Sequence, residues 1–382
     1  MNVHTFAPAE GASATEREIR SQPALWHDYA EDLACRAAEI RDWISEREPQ
    51  EIWLCGAGTS AYIGETVCAY LETRSRIRHR SVATTSLVAA PQDLVVTDRR
   101  VLVVSFGRSG NSSETIGVLD ILDRHMPAAD RLNITCNADS VLARRAAPKD
   151  GQQRTIVLPE GAHDQGFAMT ASFTTMLLTV LACLDNVSPA LVKATVKTLA
   201  HRAAHLIPAA EALVGMRLSV APERAVFLGS GPLTGIARES GLKVLELTGG
   251  KVATAWESSL GFRHGPKAIL NDRTLVLANV AIDEHTRRYD LDLIDEIRRQ
   301  FDKVSVVTVG PAGTGADLEI DPVGNDAWSA LLYVLLPQVL ALRWSQSLGM
   351  TVDNPFEGGE LNRVVSGVTL YPYDGKAHVR RH

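Results

Sequence analysis

A short apolar run that ends in a turn rich in serine and glycine constrains this chain most strongly. Residues 101–105, VLVVS, are mostly apolar and β-branched, as expected of a strand buried in a parallel sheet. Ser105 closes this run, and an amphipathic helix is predicted to begin near Ser112. The unpaired N–H groups and the dipole of a helix start favour anions. The stretch therefore predicts a phosphate cradle. Its candidate ligands are Ser105, Arg108, Ser109, Asn111 and Ser112.

Two other interpretations of this turn are possible. An ordinary strand-to-helix loop whose serines only cap the helix would have the same composition. A nucleotide P-loop is disfavoured, because no lysine follows glycine in a GK[ST] pattern. The formal net charge of −6 argues against a nucleic-acid or anionic-membrane surface, so local donors must hold any anionic ligand.

Length and composition indicate a soluble cytoplasmic protein of two domains. The 382 residues are 45% hydrophobic and 22% charged. We see no signal peptide, and the apolar run at 328–342 is interrupted by Pro337 and Gln338, so we expect no membrane span. Five scattered cysteines without a CxxC pair indicate reduced core thiols. No residue cluster suggests a metal site, and no cofactor is expected.

Strands alternate with helices along most of the chain, which predicts an α/β fold with parallel sheets covered on both faces. Residues 1–20 are expected to form a loose arm, and a helix is predicted over about 22–48. The pattern then repeats, since Gly229 follows Gly56 by 173 residues (229 − 56) and Gly231 follows Gly58 by the same offset. An internal duplication is therefore predicted, with an N-terminal arm and helix over 1–50, a first domain over 51–215 and a second over 216–382.

The two copies differ in the turn that follows the strand at 101–105 and its counterpart in the second copy. Where the first has its serine turn, the second has AIDE at 281–284, which we expect not to cradle phosphate. The first copy has another glycine turn, CGAGTS, at 55–60. In such sheets ligands bind beyond the carboxyl ends of strands, so Gly58, Thr59 and Ser60 are expected to converge with Ser105 on one phosphorylated ligand. The turn lacks a useful GxGxxG spacing, which disfavours a dinucleotide.

Charged residues on the helix predicted over 234–247 are the candidates for chemistry. Glu239, Lys243 and Glu246 share one helical face among apolar neighbours. They form either a surface ion-pair ladder or one wall of a polar cavity. A partly buried glutamate would have a raised pKa, which suits a general base. His264, in the loop GFRHGPK, is either an ordinary loop histidine or a second acid–base group.

Taken together, these segments resemble the sugar isomerase (SIS) family from about residue 22 onward. The likeness rests on CGAGTS, SFGRSGNSSET, CNADSVLAR, RESGLKVLEL, FRHGP and the C-terminal DNP…NRVVSGVT. Their order resembles the isomerase half of glucosamine-6-phosphate synthase. The N-terminal EIRSQPALW and the longer serine turn are more similar to the AgaS branch. That branch comprises galactosamine-6-phosphate deaminase/isomerases, also labelled tagatose-6-phosphate ketose/aldose isomerases. The fold implied is two tandem SIS domains, each with a flavodoxin-like parallel sheet.

The resemblance also implies roles for single residues. Ser60, Ser105, Ser109 and Ser112 match phosphate and sugar ligands. Glu246 matches the base that moves a proton between C2 and C1, and Glu239 and Lys243 match its charged partners. His264 matches the ring-opening histidine, which in the synthase comes from the neighbouring subunit of a dimer. Arg363 departs from the pattern, since the synthase has lysine there, and it is expected to act as a binding or electrostatic group.

The function implied is a metal-independent hexosamine-6-phosphate deaminase/isomerase, acting on galactosamine-6-phosphate as a homodimer or larger homo-oligomer with a shared active site. The chain lacks a glutaminase domain, and its second residue is Asn2 rather than a nucleophilic cysteine. Ammonia release rather than ammonia uptake from glutamine is therefore the expected direction. The alternatives are a tagatose-6-phosphate isomerase without deamination and a non-catalytic sugar-phosphate sensor.

Overall fold

The computed structural model describes residues 11–375, and within them two five-stranded parallel sheets are covered by helices. The α/β fold class with two tandem units is thus confirmed. The first half contains α1 (Ala14–Arg47), β1 (Glu51–Cys55), α2 (Thr59–Leu71), β2 (Arg78–Ser81), α3 (Thr84–Ala89), β3 (Val101–Gly107), α4 (Ser113–His125), β4 (Asp130–Thr135), α5 (Val141–Arg144), β5 (Gln153–Val157), α6 (Ala171–Leu184) and α7 (Pro189–Arg217).

The second half repeats this alternation. It contains β6 (Arg224–Leu228), α8 (Pro232–Leu247), β7 (Ala253–Glu257), α9 (Ser259–Phe262), β8 (Thr274–Asn279), α10 (Glu284–Gln300), β9 (Ser305–Pro311), β10 (Leu318–Ile320), α11 (Asp326–Tyr333) and α12 (Leu335–Ser347). Short 3₁₀ helices span Pro91–Asp93, Glu160–Ala162 and Pro266–Ile269.

Strand order confirms the duplication. The first sheet has the order β2-β1-β3-β4-β5, and the second has β7-β6-β8-β9-β10, which is the same order with each strand replaced by its counterpart. Both match the flavodoxin-like arrangement, whose switch point lies between the first and third strands of each unit. Every residue of β1, β3, β4 and β8 is buried, as expected for strands covered on both faces.

The N-terminal helix begins earlier than predicted. Ser13 caps α1, its hydroxyl accepting from the N–H of Glu16, so residues 14–20 are helical and the expected loose arm is wrong there. Residues 1–10 of that arm lie outside the described residues. The carboxylate of Asp353 also accepts from the N–H groups of Ala14 and Thr15, at 2.7 and 2.9 Å. The polar composition of this stretch therefore reflects helix capping. The domain boundaries predicted at 50 and 215 stay predictions.

Four elements of the second half were not predicted, namely β7, α9, α10 and β10. The burial of β7 is mixed, as on an edge strand, and its sequence ATAWE has no regular alternation. Helix α10 buries four of its seventeen residues, so charged side chains dominate its sequence and obscure the helical spacing of its apolar positions. The apolar run at 328–342 lies in two helices, α11 and α12, which meet at Val334.

One apolar segment within residues 11–375, Asp326–Ser347, is long and apolar enough to cross a membrane by length and composition alone. The interruption by Pro337 and Gln338 therefore does not make this segment too short to cross a membrane. Its most apolar window is 94% buried inside the protein, as in the core helix of a globular protein. Of the five cysteines, Cys55, Cys136 and Cys183 are buried and Cys68 is half-buried, all as free thiols, whereas Cys35 is exposed and departs from the core prediction.

Helices α2 and α8 join the two halves by packing antiparallel. A Cβ on Gly235 of α8 would lie 2.4 Å from Thr66 Oγ1, so glycine permits the close approach. Near the other end of this contact, a Cβ on Gly58 would lie 3.9 Å from Leu242 Cδ2. The carboxyl-terminal end of α8 thereby reaches the start of α2, at the carboxyl edge of the first sheet.

The loop from His163 to Met169, between β5 and α6, depends on one buried carboxylate. Asp164 is fully buried and accepts from the N–H groups of Thr170, Ala171 and Ser172, at 2.8 to 2.9 Å. The hydroxyls of Thr170 and Ser172 also donate to it. This carboxylate therefore satisfies the start of α6 and fixes the loop that precedes it.

Replacing Asp164 with Asn should lower the free energy of unfolding by about 2–3 kcal/mol, because an amide nitrogen would face N–H donors and the bonds to a charged acceptor would be lost. Urea denaturation of the purified variant would measure this. Asp150→Asn, at an exposed site, is the matched control and should leave the midpoint unchanged. Equal midpoints for Asp164→Asn and the unchanged protein would contradict the assignment.

Candidate active site

The serine turn connects β3 to α4 at the carboxyl edge of the first sheet. Ser112 is the N-cap of α4, and its hydroxyl accepts from the N–H of Thr115 at 3.3 Å. Ser109 Oγ accepts from the N–H of Asn111 at 3.3 Å. Gly110 has φ +64°, and a Cβ there would lie 2.5 Å from Ser140 Oγ. The turn is therefore tightly constrained, and its hydroxyls and N–H groups are gathered at one helix start.

The glycine turn of the first copy lies beside it. Strands β1 and β3 are hydrogen-bonded neighbours, with Cys55 paired to Ser105. Gly58, with φ +53°, precedes α2 without a side-chain cap, and Thr59 and Ser60 open that helix in buried positions. Two helix starts, those of α2 and α4, thus meet at the switch point of the first sheet, an arrangement suited to an anion.

Asn111 has a structural task within this arrangement. Its side-chain oxygen accepts from the N–H of Val141 at 2.8 Å and so ties the turn to α5. Ser60 Oγ makes only a 4.0 Å contact with Met169 Sδ. Among the described residues no hydrogen bond occupies the hydroxyl of Ser105. Ser60 and Ser105 are therefore the hydroxyls best placed to turn toward a ligand.

The charged face of α8 is buried, which argues against a surface ion-pair ladder. Glu239 and Lys243 are fully buried, and the side chain of Glu246 is 23% exposed. Lys243 Nζ donates to Glu246 Oε2 at 2.6 Å and lies 3.5 Å from Glu239 Oε1. These three residues, called the α8 triad below, form a coupled group next to the first sheet.

Burial raises the pKa of Glu239 to about 8, although the neighbouring Lys243 and the Thr59 hydroxyl act in the opposite direction. Neither oxygen of Glu239 has a well-formed hydrogen bond in the described part of the chain, which leaves its negative charge poorly stabilised. Burial alone would lower the pKa of Lys243, but Glu239 and Glu246 raise it. Lys243 therefore stays charged, and Glu246 is its close partner.

Arg108 connects the serine turn to two other segments. Its guanidinium donates to the carbonyls of Gly166, Phe167 and Arg363, at 3.3, 2.9 and 2.9 Å. Burial and the charge of Arg363 lower the pKa of Arg108, while Asp164 and Glu246 raise it. Arg108 thus lies within electrostatic reach of the α8 triad, and it holds backbone carbonyls with several of its donors.

Arg363 belongs to the C-terminal segment that follows α12. Its guanidinium donates to the carbonyl of Asp164, and its Nε is buried without a partner among the described residues. Further on, the carbonyl of Val365 accepts from the N–H of Ser113 at 3.2 Å. The C-terminal segment therefore runs across the start of α4.

His264 is not brought to this cluster by its own chain. It is exposed in the turn between α9 and the 3₁₀ helix Pro266–Ile269, beyond β7 of the second sheet. Its neighbours Arg263 and Lys267 both pair with Glu296 of α10. No hydrogen bond or ion pair of the described residues links His264 to the serine turn or to the α8 triad.

Sequence reasoning missed the loop at 163–169. His163 is half-buried there, and burial together with Arg363 and Arg108 lowers its pKa. The carboxylate of Glu18 in α1 accepts from the N–H groups of Gln165 and Gly166, and burial with the nearby Asp164 raises its pKa to about 7. No local motif marks this loop, since its partners lie far away in the chain. In the described range no group of three or more metal-binding side chains is assembled.

Comparisons with known proteins identify the family. The SIS domain family model matches residues 47–184. D-galactosamine-6-phosphate deaminase AgaS of Escherichia coli is 35% identical and aligns over 96% of this chain and 98% of its own length. The protein of the same name from Shewanella sp. (strain ANA-3) is 37% identical, over 95% of this chain and 93% of its own.

A solved structure extends the likeness to the whole fold. The tagatose-6-phosphate ketose/aldose isomerase from Escherichia coli superposes with a TM-score of 0.84 at 33% identity, covering 96% of this chain and 100% of its own. The resemblance drawn from the sequence motifs is confirmed at this level. The chain belongs to the AgaS family of SIS-domain proteins.

Proposed function

We propose that this protein is a hexosamine-6-phosphate deaminase/isomerase that converts galactosamine-6-phosphate to a ketose 6-phosphate and ammonia. The observation that supports it best is the burial of the α8 triad at the same sheet edge as the serine turn. One end of that edge offers donors for a phosphate, and the other offers an acid–base group. The names of relatives at 35 and 37% identity point to the same substrate.

Binding begins with the phosphate. The starts of α2 and α4, with Ser60, Ser105, Ser109 and Ser112, hold its oxygens by N–H and O–H donors. Arg363 acts as a binding or electrostatic group and Arg108 as a positioning one, because several of its donors already hold backbone carbonyls. Anchoring the phosphate leaves C1 and C2 of the open-chain sugar for the α8 triad.

The chemistry needs one base that gives back the proton it takes. The ring opens to the aldehyde, and the carboxylate of Glu246 removes the proton from C2. It then delivers that proton to C1, while a proton passes from the C2 nitrogen to O1 through water, which leaves a hydroxyl at C1 and an imine at C2. Water adds to the imine and ammonia departs, so the product is a ketose phosphate. Lys243, 2.6 Å from Glu246, holds the carboxylate in place.

Ring opening is assigned to His264 of a second copy of the chain. Its exposed position on the second sheet, away from the α8 triad, supports a site completed across a homodimer. Phosphorylated sugars are charged and stay within the compartment where they are made, which with the free thiols supports a cytoplasmic location.

Replacing Glu246 with Gln should lower kcat for galactosamine-6-phosphate about 10²–10⁴-fold with little change in sugar-phosphate binding, because the amide cannot carry the C2 proton. Ammonia and ketose phosphate are measured for galactosamine-6-phosphate, glucosamine-6-phosphate and tagatose-6-phosphate, with Glu39→Gln as a surface control. Ammonia release from an amino sugar is the expected result. Turnover of tagatose-6-phosphate alone would instead favour an isomerase, and binding without turnover a sensor.

The raised pKa of Glu239 predicts a pH dependence of stability. Folding takes up a proton at Glu239 between the unfolded pKa of 4.5 and the folded value of about 8. Its contribution to stability is therefore complete below pH 4.5 and is lost as the pH rises through 8. Glu239→Gln removes this pH-dependent loss. Between pH 5 and 9 the free energy of unfolding of the variant should therefore rise by about 1–3 kcal/mol relative to that of the unchanged protein.

Urea denaturation across that pH range tests this prediction, with Glu39→Gln as the exposed control. Parallel pH curves for Glu239→Gln and the unchanged protein would refute it. The measurement involves no substrate, so it stands apart from the assignment of function.

A shared site predicts complementation between two inactive variants. A mixed dimer of Glu246→Gln and His264→Ala chains has one site with both native residues, so co-expression should restore about a quarter of wild-type activity. Each variant alone, assayed at the same concentration, provides the baseline. If the mixture is no more active than the two variants assayed separately, either both residues act within one chain or His264 has no catalytic role. The deaminase activity of the wild-type protein does not depend on this outcome.

A further inference from the structure

A second buried carboxylate lies at the carboxyl edge of the second sheet, outside the site described above. Asp290 of α10 is 1% exposed. The hydroxyls of Ser230 and Ser259 donate to its Oδ1 at 2.6 and 2.5 Å, and the N–H of Ala281 donates to its Oδ2 at 3.0 Å. No ion pair to Asp290 forms among the described residues, so hydrogen bonds rather than a cation satisfy this anion.

The three donors come from three different loops. Ser230 follows β6, Ser259 follows β7 and Ala281 follows β8, so each lies just beyond the carboxyl end of a strand. Strands β6 and β8 are neighbours, and the point between them is the switch point of the second sheet. In sheets of this order that crevice is where ligands bind. The carboxylate therefore occupies the place that a ligand would take.

The duplication shows what changed between the two copies. With the offset of 173 residues, Asp290 corresponds to Gly117 of α4 and Ala281 corresponds to Arg108. The first copy thus has no side chain at the position from which the second copy sends a carboxylate to its strand-end loops. In the second copy the donors remain and the anion is supplied by the chain.

We infer that the second sheet retains an anion cradle and that the side chain of Asp290 is its permanent occupant. The cradle is built for one small carboxylate-sized oxyanion, held by two hydroxyls and one N–H group. In the native protein it is closed to outside ligands. Removing the carboxylate opens a site for formate, which supplies the same two oxygens.

The Asp290 carboxylate is buried and has only three hydrogen-bond donors, so its stability in the cradle depends on each of them. Burial raises the pKa of Asp290, and its three hydrogen bonds act against that shift. Asp326, which accepts from the N–H of Ile282 at 2.7 Å, lies on the same side and adds a second buried carboxylate. An open cradle should accordingly favour a small monoanion over a larger multiply charged one.

Thermal unfolding of Asp290→Ala in sodium formate, against sodium chloride of equal ionic strength, tests the inference. In chloride the midpoint should fall by about 5 °C or more, because three donors lose their acceptor. Formate should restore a saturable part of that loss. If the variant does not fold in chloride, the refolded fraction in formate against chloride supplies the same comparison.

Three controls separate a filled cradle from a general salt effect. Asp290→Asn keeps the cradle occupied and should gain nothing from formate. Asp295→Ala removes an exposed carboxylate from the same helix and should behave like the unchanged protein. Adding Ser259→Ala to Asp290→Ala should abolish the gain from formate. A midpoint of Asp290→Ala that rises equally in formate and chloride would overturn the inference, as would an undiminished gain in the double variant.

Discussion

The ammonium group of Lys243 is fully buried, and the candidate site depends on keeping it paired. A buried cation without a partner is strongly destabilising, and removing one partner of a buried pair costs several kcal/mol. The helix itself supplies both partners, because Glu239 lies four residues before Lys243 and Glu246 three residues after it. Because burial raises the pKa of Glu239 to about 8, its carboxyl favours the protonated form near neutral pH, and Glu246, whose side chain is 23% exposed, is the hydrogen-bonded partner of Lys243.

The position of this helix follows from a backbone contact rather than from the charges. Gly235 lets α8 approach α2 closely, and the antiparallel packing carries the far end of α8 to the edge of the other sheet. The second copy therefore brings the α8 triad to the candidate phosphate site of the first copy. Its own strand ends meet at Asp290 instead. The strand ends of the two copies therefore differ: those of the first copy form the candidate phosphate site, and those of the second copy bind the carboxylate of Asp290.

Much of this could be predicted from the sequence, since local patterns determine it. The strand at Val101, the cap at Ser112 and the shared face of Glu239, Lys243 and Glu246 all follow from residue spacing. The burial of that face could not be predicted, because it depends on α2, which is remote in sequence. Helix α10 was missed since its polar surface masks four buried positions. The loop at 163–169 was missed because Glu18 and Arg108, which hold it, are far away along the chain.

The contacts of Asp353 tie two segments that are remote in sequence to one loop. Its carboxylate holds the first turn of α1, and its carbonyl accepts from the N–H of Phe167, whose own carbonyl is bound by Arg108. The start of α1 and the segment that follows α12 are thereby fixed to the loop at 163–169, which Arg108 connects to the serine turn. A substitution at Asp353 would therefore act on the candidate site through two successive hydrogen bonds, without contacting it directly.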